Sequence, residues 1–220
     1  MRRMWLAALL FGCNDAGFQG VAIRPTYGWA DGCTDVLITG RGFDDGVTAT
    51  VGGAAVTGIT LPDPEVEPLD VGFEFHALTP PGTPGFANMM ITNGDGQFSE
   101  VTNAFYYVTC PAAPHVDGMS PTEAAPNDTV SIAGCGFQEG LQAQLVSLAD
   151  PTAAVASAPL TLACSTAVVG FTVPAVADGT YLVLIADGSG TVVYGGNLCD
   201  TADTGGGCEA PLYLTVGGAT

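Results

Sequence analysis

The sequence contains no lysine. Positive charge comes only from four arginines, whereas 22 aspartates and glutamates bring the formal net charge to −18. A surface this acidic repels nucleic acid and the anionic headgroups of lipids. We therefore expect no nucleic-acid partner, and we interpret the acidity as a source of solubility outside the cell in preference to a specific cation site.

Recognisable catalytic motifs are also missing. The two histidines, His76 and His115, are isolated in sequence, and there is no Gly-x-Ser-x-Gly elbow, phosphate loop or Cys-x-x-Cys pair. Carboxylate pairs such as Asp44–Asp45, or Glu65 with Glu67, are expected in so acidic a chain and do not by themselves indicate a glycosidase. We predict that the protein is not an enzyme and uses no cofactor and no metal.

The apolar run near the N-terminus, from Trp5 to Phe11, is too short to span a bilayer. Because Arg2 and Arg3 precede it, the run suits the hydrophobic part of a secretory signal. We therefore predict an exported protein.

The signal ends in Leu10-Phe11-Gly12-Cys13, which resembles the lipobox of bacterial lipoproteins, although a residue smaller than Phe11 is usual there. The resemblance implies that Cys13 carries a lipid and anchors the protein to a membrane, at the cell surface or in the periplasm. Residues 1–12 would then be the signal peptide and residues 13–20 a lipidated tether. The alternative is an ordinary signal with an incidental cysteine.

One stretch of the chain occurs twice. Residues 34–43 (TDVLITGRGF) return in altered form as residues 128–137 (DTVSIAGCGF), 94 positions later. In each copy the apolar residues alternate, which predicts a strand with one buried face. The Gly-x-Gly-Phe that follows predicts a tight corner and an aromatic ring folded back onto the core.

Further matches keep the same spacing of 94 residues: Thr79-Pro80 with Val173-Pro174, Gly85 with Gly179, and Asn93–Gly96 with Asp187–Gly190. A repeat that holds its spacing over this distance indicates two copies of one domain, which we place at residues 21–110 and 111–220.

Glycine (31) and proline (15) separate short β-branched runs along both copies, which predicts many short strands joined by turns. In the first copy we expect a strand at Val21–Pro25, a turn through Tyr27–Trp29, and a strand at Val71–Phe75 with Val71, Phe73 and Phe75 on one face. About seven such strands in each copy are typical of an antiparallel sandwich. The predicted class is all-β, with two tandem immunoglobulin-like sandwiches.

The order of these motifs resembles the IPT/TIG family of immunoglobulin-like domains. Its pattern has proline and glycine near the start, a Val-x-Ile-x-Gly-x-Gly-Phe strand, a Val-x-Gly-Gly strand, Thr-Pro with glycine, and Asn-x-Asp-Gly before a closing aromatic strand. Residues 21–108 carry all of these, whereas residues 114–217 lack the Gly-Gly pair. The resemblance implies interaction, because such domains occur in cell-surface receptors, in glycan-binding surface lipoproteins and beside polysaccharide-acting domains.

The chain has seven cysteines, so lipidation of Cys13 would leave six, enough for three disulfides in an exported protein. In the family, the start of the second strand lies near the end of the last strand, which implies a Cys33–Cys110 pair. The same topology implies a Cys135–Cys164 pair. Cys199 and Cys208 would then close a local loop.

The predicted function is a non-catalytic, lipid-anchored surface or periplasmic protein that presents two immunoglobulin-like domains to a protein or a glycan. A structural spacer or envelope-assembly subunit is the alternative, and an enzyme subunit would need a partner encoded elsewhere. A glycan binder should expose an aromatic platform, for which Trp29, Tyr106 and Tyr107 are candidates, although core packing is the other use of such residues.

The two copies differ most before their last strand. Aligning Tyr106 with Tyr213 gives the second copy 13 extra residues, in a polar, glycine-rich hairpin that carries Asp200, Asp203 and Glu209. Loops at the ends of immunoglobulin-like sandwiches commonly carry recognition, so we predict a binding loop here, with calcium binding by the three acids as a weaker option. A tolerated insertion is the alternative.

Overall fold

The computed structural model describes residues 18–63, 65, 72–111, 114–153, 155–194 and 211–217. Regular secondary structure in these residues consists of β-strands, which confirms the predicted all-β class. The first nine strands are β1 (Gln19–Arg24), β2 (Tyr27–Trp29), β3 (Asp35–Arg41), β4 (Thr48–Val51), β5 (Ala54–Ala55), β6 (Thr57–Thr60), β7 (Glu74–Leu78), β8 (Gly85–Thr92) and β9 (Phe98–Val108). The next ten are β10 (His115–Ser120), β11 (Glu123–Ala124), β12 (Thr129–Cys135), β13 (Gln142–Ser147), β14 (Ala156–Pro159), β15 (Thr161–Cys164), β16 (Val168–Thr172), β17 (Gly179–Ala186), β18 (Val192–Tyr194) and β19 (Leu212–Val216).

The strands form two β-sandwiches in series. In the first sandwich, a sheet of order β1-β3-β7-β6 faces a sheet of order β2-β9-β8-β4-β5, and a single cluster of buried apolar side chains lies between them. In the second, the orders are β10-β12-β16-β15 and β11-β19-β17-β13-β14, with β18 beside β17, around a separate apolar cluster. Each sandwich therefore has its own core.

The predicted repeat is visible in the strand bounds. Strands β3, β7 and β8 begin and end 94 residues before β12, β16 and β17. Val36 and Ile38 in β3, like Val130 and Ile132 in β12, are fully buried, as the alternation predicts. The same strand therefore forms the centre of both sandwiches.

The Gly-x-Gly-Phe corner also has the predicted conformation. Gly42 and Gly136 have φ values of 73° and 71°, which glycine adopts at no steric cost. The following rings, Phe43 and Phe137, turn back into the two cores and are buried.

The turn predicted through Tyr27–Trp29 is wrong, because these residues form the edge strand β2. The chain leaves one sheet after β1 and joins the other, where β2 pairs in parallel with the end of β9. Gly28 permits this pairing, since a Cβ atom there would collide with the Thr34 side chain and the Phe105 ring.

The strand predicted at Val71–Phe75 is displaced along the chain. It begins at Glu74, so Phe75 is buried, whereas Phe73 lies in a turn with 55% of its surface exposed. Val71 lies outside the described residues.

Two disulfides join the two sandwiches. Cys33 pairs with Cys164, and Cys110 pairs with Cys135. The predicted pairs Cys33–Cys110 and Cys135–Cys164 are therefore wrong, although the same four cysteines are the ones that pair. The predicted Cys199–Cys208 bridge lies outside the described residues.

The predicted pairs assume that the cysteines of each sandwich pair within that sandwich. The predicted neighbours among the strand ends are correct: the Ala30 N–H donates to the Val108 carbonyl at 2.8 Å, and the Gly134 N–H donates to the Ala167 carbonyl at 2.8 Å. Both sets of ends, however, meet at the junction between the sandwiches. Each sulfur therefore bonds across the junction to the other sandwich.

Hydrogen bonds reinforce this junction. Asp31 lies in the turn after β2, and its Oδ2 atom accepts from the Gly136 N–H at 2.9 Å and from the Thr166 hydroxyl at 2.7 Å. Both donors belong to the second sandwich. The junction is thus fixed by two covalent links and by a carboxylate that bridges two segments.

Candidate functional site

Three aromatic side chains lie side by side on the solvent face of the first sandwich. In the strand register, Tyr27 of β2 is opposite Tyr106 of β9, and Tyr106 is opposite Phe86 of β8. Their surfaces are 64%, 42% and 71% exposed, respectively. We call these three residues the aromatic row; it crosses three adjacent strands and, at a strand spacing of about 4.8 Å, is about 10 Å long.

Strand alternation explains why Tyr106 faces solvent while its two neighbours in sequence do not. Phe105 and Tyr107 flank Tyr106 in β9, point into the core and are buried. The Tyr107 hydroxyl donates to the Pro80 carbonyl at 2.8 Å, and burial raises the pKa of Tyr107 to about 12. Tyr107, one of the predicted platform residues, is therefore a core residue, whereas Tyr106 faces solvent.

The rings of the row are not coplanar. Phe86 and Tyr106 pack edge to face, with centroids 4.9 Å apart and planes at 71°. This is a favourable geometry for an aromatic pair, and it holds both rings in place. The surface of the row is therefore stepped between Phe86 and Tyr106.

Polar groups continue along the same face. Asn88 donates to the Glu100 carboxylate at 2.8 Å and accepts from the Asn103 N–H at 2.9 Å. Asn103 lies at a register irregularity between β8 and β9, where four residues of β9 span the same distance as two residues of β8. Its φ is 51°. Asn88 thus fixes both the irregular turn of β9 and the Glu100 side chain, whose carboxylate has further lone pairs available.

A groove of about 480 Å³ extends from Phe86 and Asn88 toward the β4–β5 turn. Its wall includes Gly52, Gly53 and Thr83. An added Cβ at Gly53 would meet nothing within 4 Å, so the backbone is accessible there. The aromatic row is therefore continued at this end by an open, polar groove.

A cavity of about 330 Å³ lies at the other end of the row, at the junction of the two sandwiches. It is lined by Pro25, Tyr27, Gly28, Trp29, Thr34, Val108 and Asp117. We call it the junction cavity. Asp117 comes from β10 of the second sandwich, so both sandwiches contribute to its wall.

Trp29 is held at this cavity by the second sandwich. Its indole N–H donates to Asp117 Oδ2, and its ring packs edge to face against His115 with centroids 5.1 Å apart. Asp117 Oδ1 also lies 3.5 Å from His115 Nε2. Trp29, a predicted platform residue, is therefore half-buried and belongs to the cavity rather than to the aromatic row.

Among the described residues of the second sandwich, the positions that correspond to the row carry no aromatic side chain. The positions equivalent to Phe86 and Tyr27 are Thr180 and Glu123, and both pair with Thr215. Thr215 is thus the counterpart of Tyr106, and the alignment of Tyr106 with Tyr213 is wrong by two residues. Within the part of the chain that the structure describes, the aromatic row is therefore a feature of the first sandwich.

Several predicted site residues lie outside the described residues: Cys13, Cys199, Asp200, Asp203, Cys208 and Glu209. The binding loop and its calcium option therefore stay predictions. Within the described ranges, no group of three or more His, Cys, Asp or Glu residues could hold a metal ion. In the same ranges, no helix has the length and apolar character required to cross a membrane.

Sequence reasoning missed Tyr27 and Phe86. The sequence predicts a turn at Tyr27, and a turn gives no indication of the pairing of Tyr27 with Tyr106. Phe86 had a usable signal, because Phe86, Asn88 and Met90 alternate with the buried Ala87, Met89 and Ile91.

Residues 21–107 match the family model of the IPT/TIG domain. The matched segment corresponds to the first sandwich, including the whole aromatic row. No curated protein sequence matches the chain.

Solved structures provide distant similarities. The extracellular region of plexin A4 aligns at 13% identity and a TM-score of 0.37, over 80% of this chain and 15% of that one. Bacteroides ovatus SGBP-B from a mixed-linkage glucan utilization locus was solved with a mixed-linkage heptasaccharide. It aligns at 16% identity and a TM-score of 0.37, over 90% of this chain and 45% of that one. The gamma-CGTase of alkalophilic Bacillus clarkii aligns at 17% identity and a TM-score of 0.32, over 90% of this chain and 26% of that one. The chain spans less than half of each of these proteins, and similarities this low carry no argument about function.

Proposed function

From the premise that residues 21–107 are an IPT/TIG domain, we propose that this protein is a non-catalytic binding protein of the cell envelope whose ligand is a glycan. The aromatic row Tyr27–Tyr106–Phe86 is the observation that carries the proposal. It consists of three exposed aromatic residues on adjacent strands with polar groups at their border, which is the composition of a recognition site.

The chemistry of the row suits a sugar. The C–H face of a pyranose ring removes apolar surface from water when it lies against an aromatic ring, while its hydroxyls remain free to bond at the border. The Glu100 carboxylate and the Tyr27 and Tyr106 hydroxyls are polar groups within or beside the row. A protein partner would also bury the rings, but it would bury the polar border with them at a cost in desolvation.

Export and anchoring form the second part of the proposal. Disulfides persist in oxidising compartments, so the two bridges support export. We place the lipid on Cys13, with residues 1–12 as the signal and residues 13–20 as the tether. The boundaries of the two domains, 21–110 and 111–220, belong to the same proposal. The hairpin with Asp200, Asp203 and Glu209 stays a prediction for a further binding loop.

A structural spacer is the second candidate, and the disulfide-linked junction favours it. Two covalent links between the sandwiches restrict bending, which a spacer requires. A spacer does not require the aromatic row, however. The two candidates therefore differ in what removal of the row would do.

The test is a glycan array followed by calorimetric titration of the best ligand. Tyr106→Ala removes the central ring and should weaken binding about tenfold, since burial of a large apolar side chain contributes about 1.5–3 kcal/mol and about 1.4 kcal/mol is a factor of ten. The double variant Tyr106→Ala/Phe86→Ala should bind too weakly to measure.

Tyr213→Ala is the matched control, because Tyr213 is 47% exposed on the second sandwich, away from the row. It should bind as the wild type does. A protein that binds no glycan on the array, or one whose affinity is unchanged in the double variant, would refute the proposal and favour the spacer.

A further inference from the structure

We infer that the junction cavity is a second subsite of the same binding surface and holds one neutral sugar unit of a single glycan chain whose other units lie on the aromatic row. This inference rests on the proposed function. It adds the class of glycan and a requirement for both sandwiches.

The cavity and the row are continuous. Tyr27 belongs to both, because it lines the cavity and is opposite Tyr106 in the strand register. A chain that runs from Phe86 across Tyr106 reaches Tyr27 and then the cavity without leaving the surface. The row is about two strand spacings long, so an oligosaccharide of several units covers it and still extends into the cavity.

The cavity has the composition of a sugar subsite. Pro25, Val108 and the Trp29 ring give it mostly apolar walls, while Thr34 supplies a hydroxyl and Asp117 a carboxylate. Apolar walls exclude water and strengthen a hydrogen bond formed inside. One Asp117 oxygen accepts the Trp29 indole N–H, and the other lies 3.5 Å from His115 Nε2. The Asp117 side chain is 47% exposed, and a carboxylate has about four lone pairs, so lone pairs remain for a ligand hydroxyl.

The charges select a neutral ligand. Asp117 lies at one end of the row and Glu100 beside the other, in a chain of formal net charge −18. A uronic acid or a sulfated sugar would bring a second negative charge next to one of these carboxylates, and like charges in close contact are strongly unfavourable.

The ring geometry selects a single chain. A flat array of parallel polysaccharide chains requires coplanar rings, whereas the planes of Phe86 and Tyr106 lie at 71°. A single flexible chain can follow this step from one ring to the next.

The subsite exists only when both sandwiches are held together. Asp117 belongs to the second sandwich, whereas Tyr27, Trp29 and Thr34 belong to the first. The disulfides and the Asp31 hydrogen bonds keep these groups in place. Preorganisation of this kind avoids an entropy cost when the ligand binds.

The test is calorimetric titration of the full chain with neutral hexasaccharides (cello-, xylo- and malto-series) and with hexagalacturonate as the acidic probe. The best neutral hexamer should bind at least tenfold more tightly than hexagalacturonate. Asp117→Asn keeps an oxygen that can accept from Trp29 but removes the charge, and it should weaken neutral binding about tenfold, the loss expected for one hydrogen bond to a charged group.

Asp35→Asn is the matched control. Asp35 is also an exposed carboxylate beside a histidine, because its Oδ1 atom lies 3.3 Å from His76 Nδ1. It belongs to β3, in the sheet of the first sandwich that does not carry the aromatic row. This variant should bind as the wild type does, and thermal midpoints should show that both variants are folded. Equal affinity of wild type and Asp117→Asn, with binding still lost in Tyr106→Ala/Phe86→Ala, would overturn the subsite and leave the proposed function intact. Equal affinity for hexagalacturonate would overturn the neutral class, and no binding of any hexamer together with an empty array would overturn both.

Discussion

Removing the two bridges should separate the sandwiches before either one unfolds. The perturbations are Cys110→Ser/Cys135→Ser, Cys33→Ser/Cys164→Ser, and the combination of the two. The bridges connect positions 25 and 131 residues apart in sequence, and each crosses from one sandwich to the other. The two cores are separate clusters, so both sandwiches should keep their own packing when the links are cut.

The loop lengths set the size of the effect. A disulfide stabilises the folded state mainly by lowering the entropy of the unfolded chain. When each bridge is considered alone, this adds about 3.5 kcal/mol to the free energy of unfolding for the 25-residue separation and about 5 kcal/mol for the 131-residue separation. The contributions are not additive, because the shorter loop lies inside the longer one. We therefore expect a loss of about 2–4 kcal/mol in the free energy of unfolding for each double variant.

Trp29 gives a local assay. The sequence has two tryptophans, Trp5 and Trp29, so removal of residues 1–12 leaves Trp29 as the only one. Its indole bonds to Asp117 across the junction, and its fluorescence therefore reports on contact between the sandwiches. In the combined variant the emission should shift to longer wavelength without denaturant, while the β-sheet circular dichroism is unchanged. Urea unfolding then gives the loss of stability from the shift in midpoint.

Non-reducing peptide mapping tests the pairing itself. Cleavage before aspartates separates the four cysteines, because Asp44, Asp117 and Asp150 each lie between consecutive ones. We expect linked peptides that contain Cys33 with Cys164 and Cys110 with Cys135. Peptides that link Cys33 to Cys110, or a combined variant with unchanged Trp29 emission and unfolding midpoint, would refute this reasoning.

Two further predictions concern Tyr107 and Cys13. Burial raises the pKa of Tyr107 from 10.0 to about 12, so its stabilising contribution is present below pH 10 and is lost as the pH rises from 10 to about 12. Tyrosinate absorbance should show a late step that is absent in Tyr107→Phe, and identical titrations of the two proteins would contradict this. If Cys13 carries a lipid, Cys13→Ser should release the protein from the membrane fraction. The intact mass of the natively produced protein should then begin at acylated Cys13, and a mass that begins elsewhere would exclude lipidation there.

Local periodicity was sufficient to predict much of the fold. The alternation of apolar residues predicts that Val36 and Ile38 are buried in the first sandwich. The constant spacing of 94 residues predicts the same for their counterparts Val130 and Ile132 in the second. Such features depend on neighbours in sequence, and strand geometry fixes them directly. The strand β2 was not predicted, because three residues are too few to show a period and β9, with which it pairs, lies far along the chain.

The candidate site depended on pairing across strands, which a single sequence does not record. Tyr106 and Tyr107 are adjacent aromatic residues, and only the register of β9 decides which one enters the core. Tyr27 became a site residue through its parallel pairing with Tyr106, and Asp117 became one through the junction between the sandwiches. The closing aromatic motif predicts the strand β9, but only the packing of the strands determines which of its side chains face solvent.

The two copies of the Gly-x-Gly-Phe corner show how the repeat diverged. In the first sandwich the Gly42 carbonyl accepts from the Asn93 amide at 2.9 Å, so the corner is tied to a hairpin of its own domain. In the second sandwich Asp187 replaces Asn93 and bonds within its own turn to Ser189.

The second corner is instead tied to the other sandwich, because the Gly136 N–H donates to Asp31 and Cys135 is bridged to Cys110. The same local structure therefore stabilises one domain in the first copy and joins two domains in the second. This use accounts for a cysteine between the two glycines of the second copy, where the first has Arg41. The same links hold the second sandwich beside the end of the aromatic row, where Asp117 lines the junction cavity.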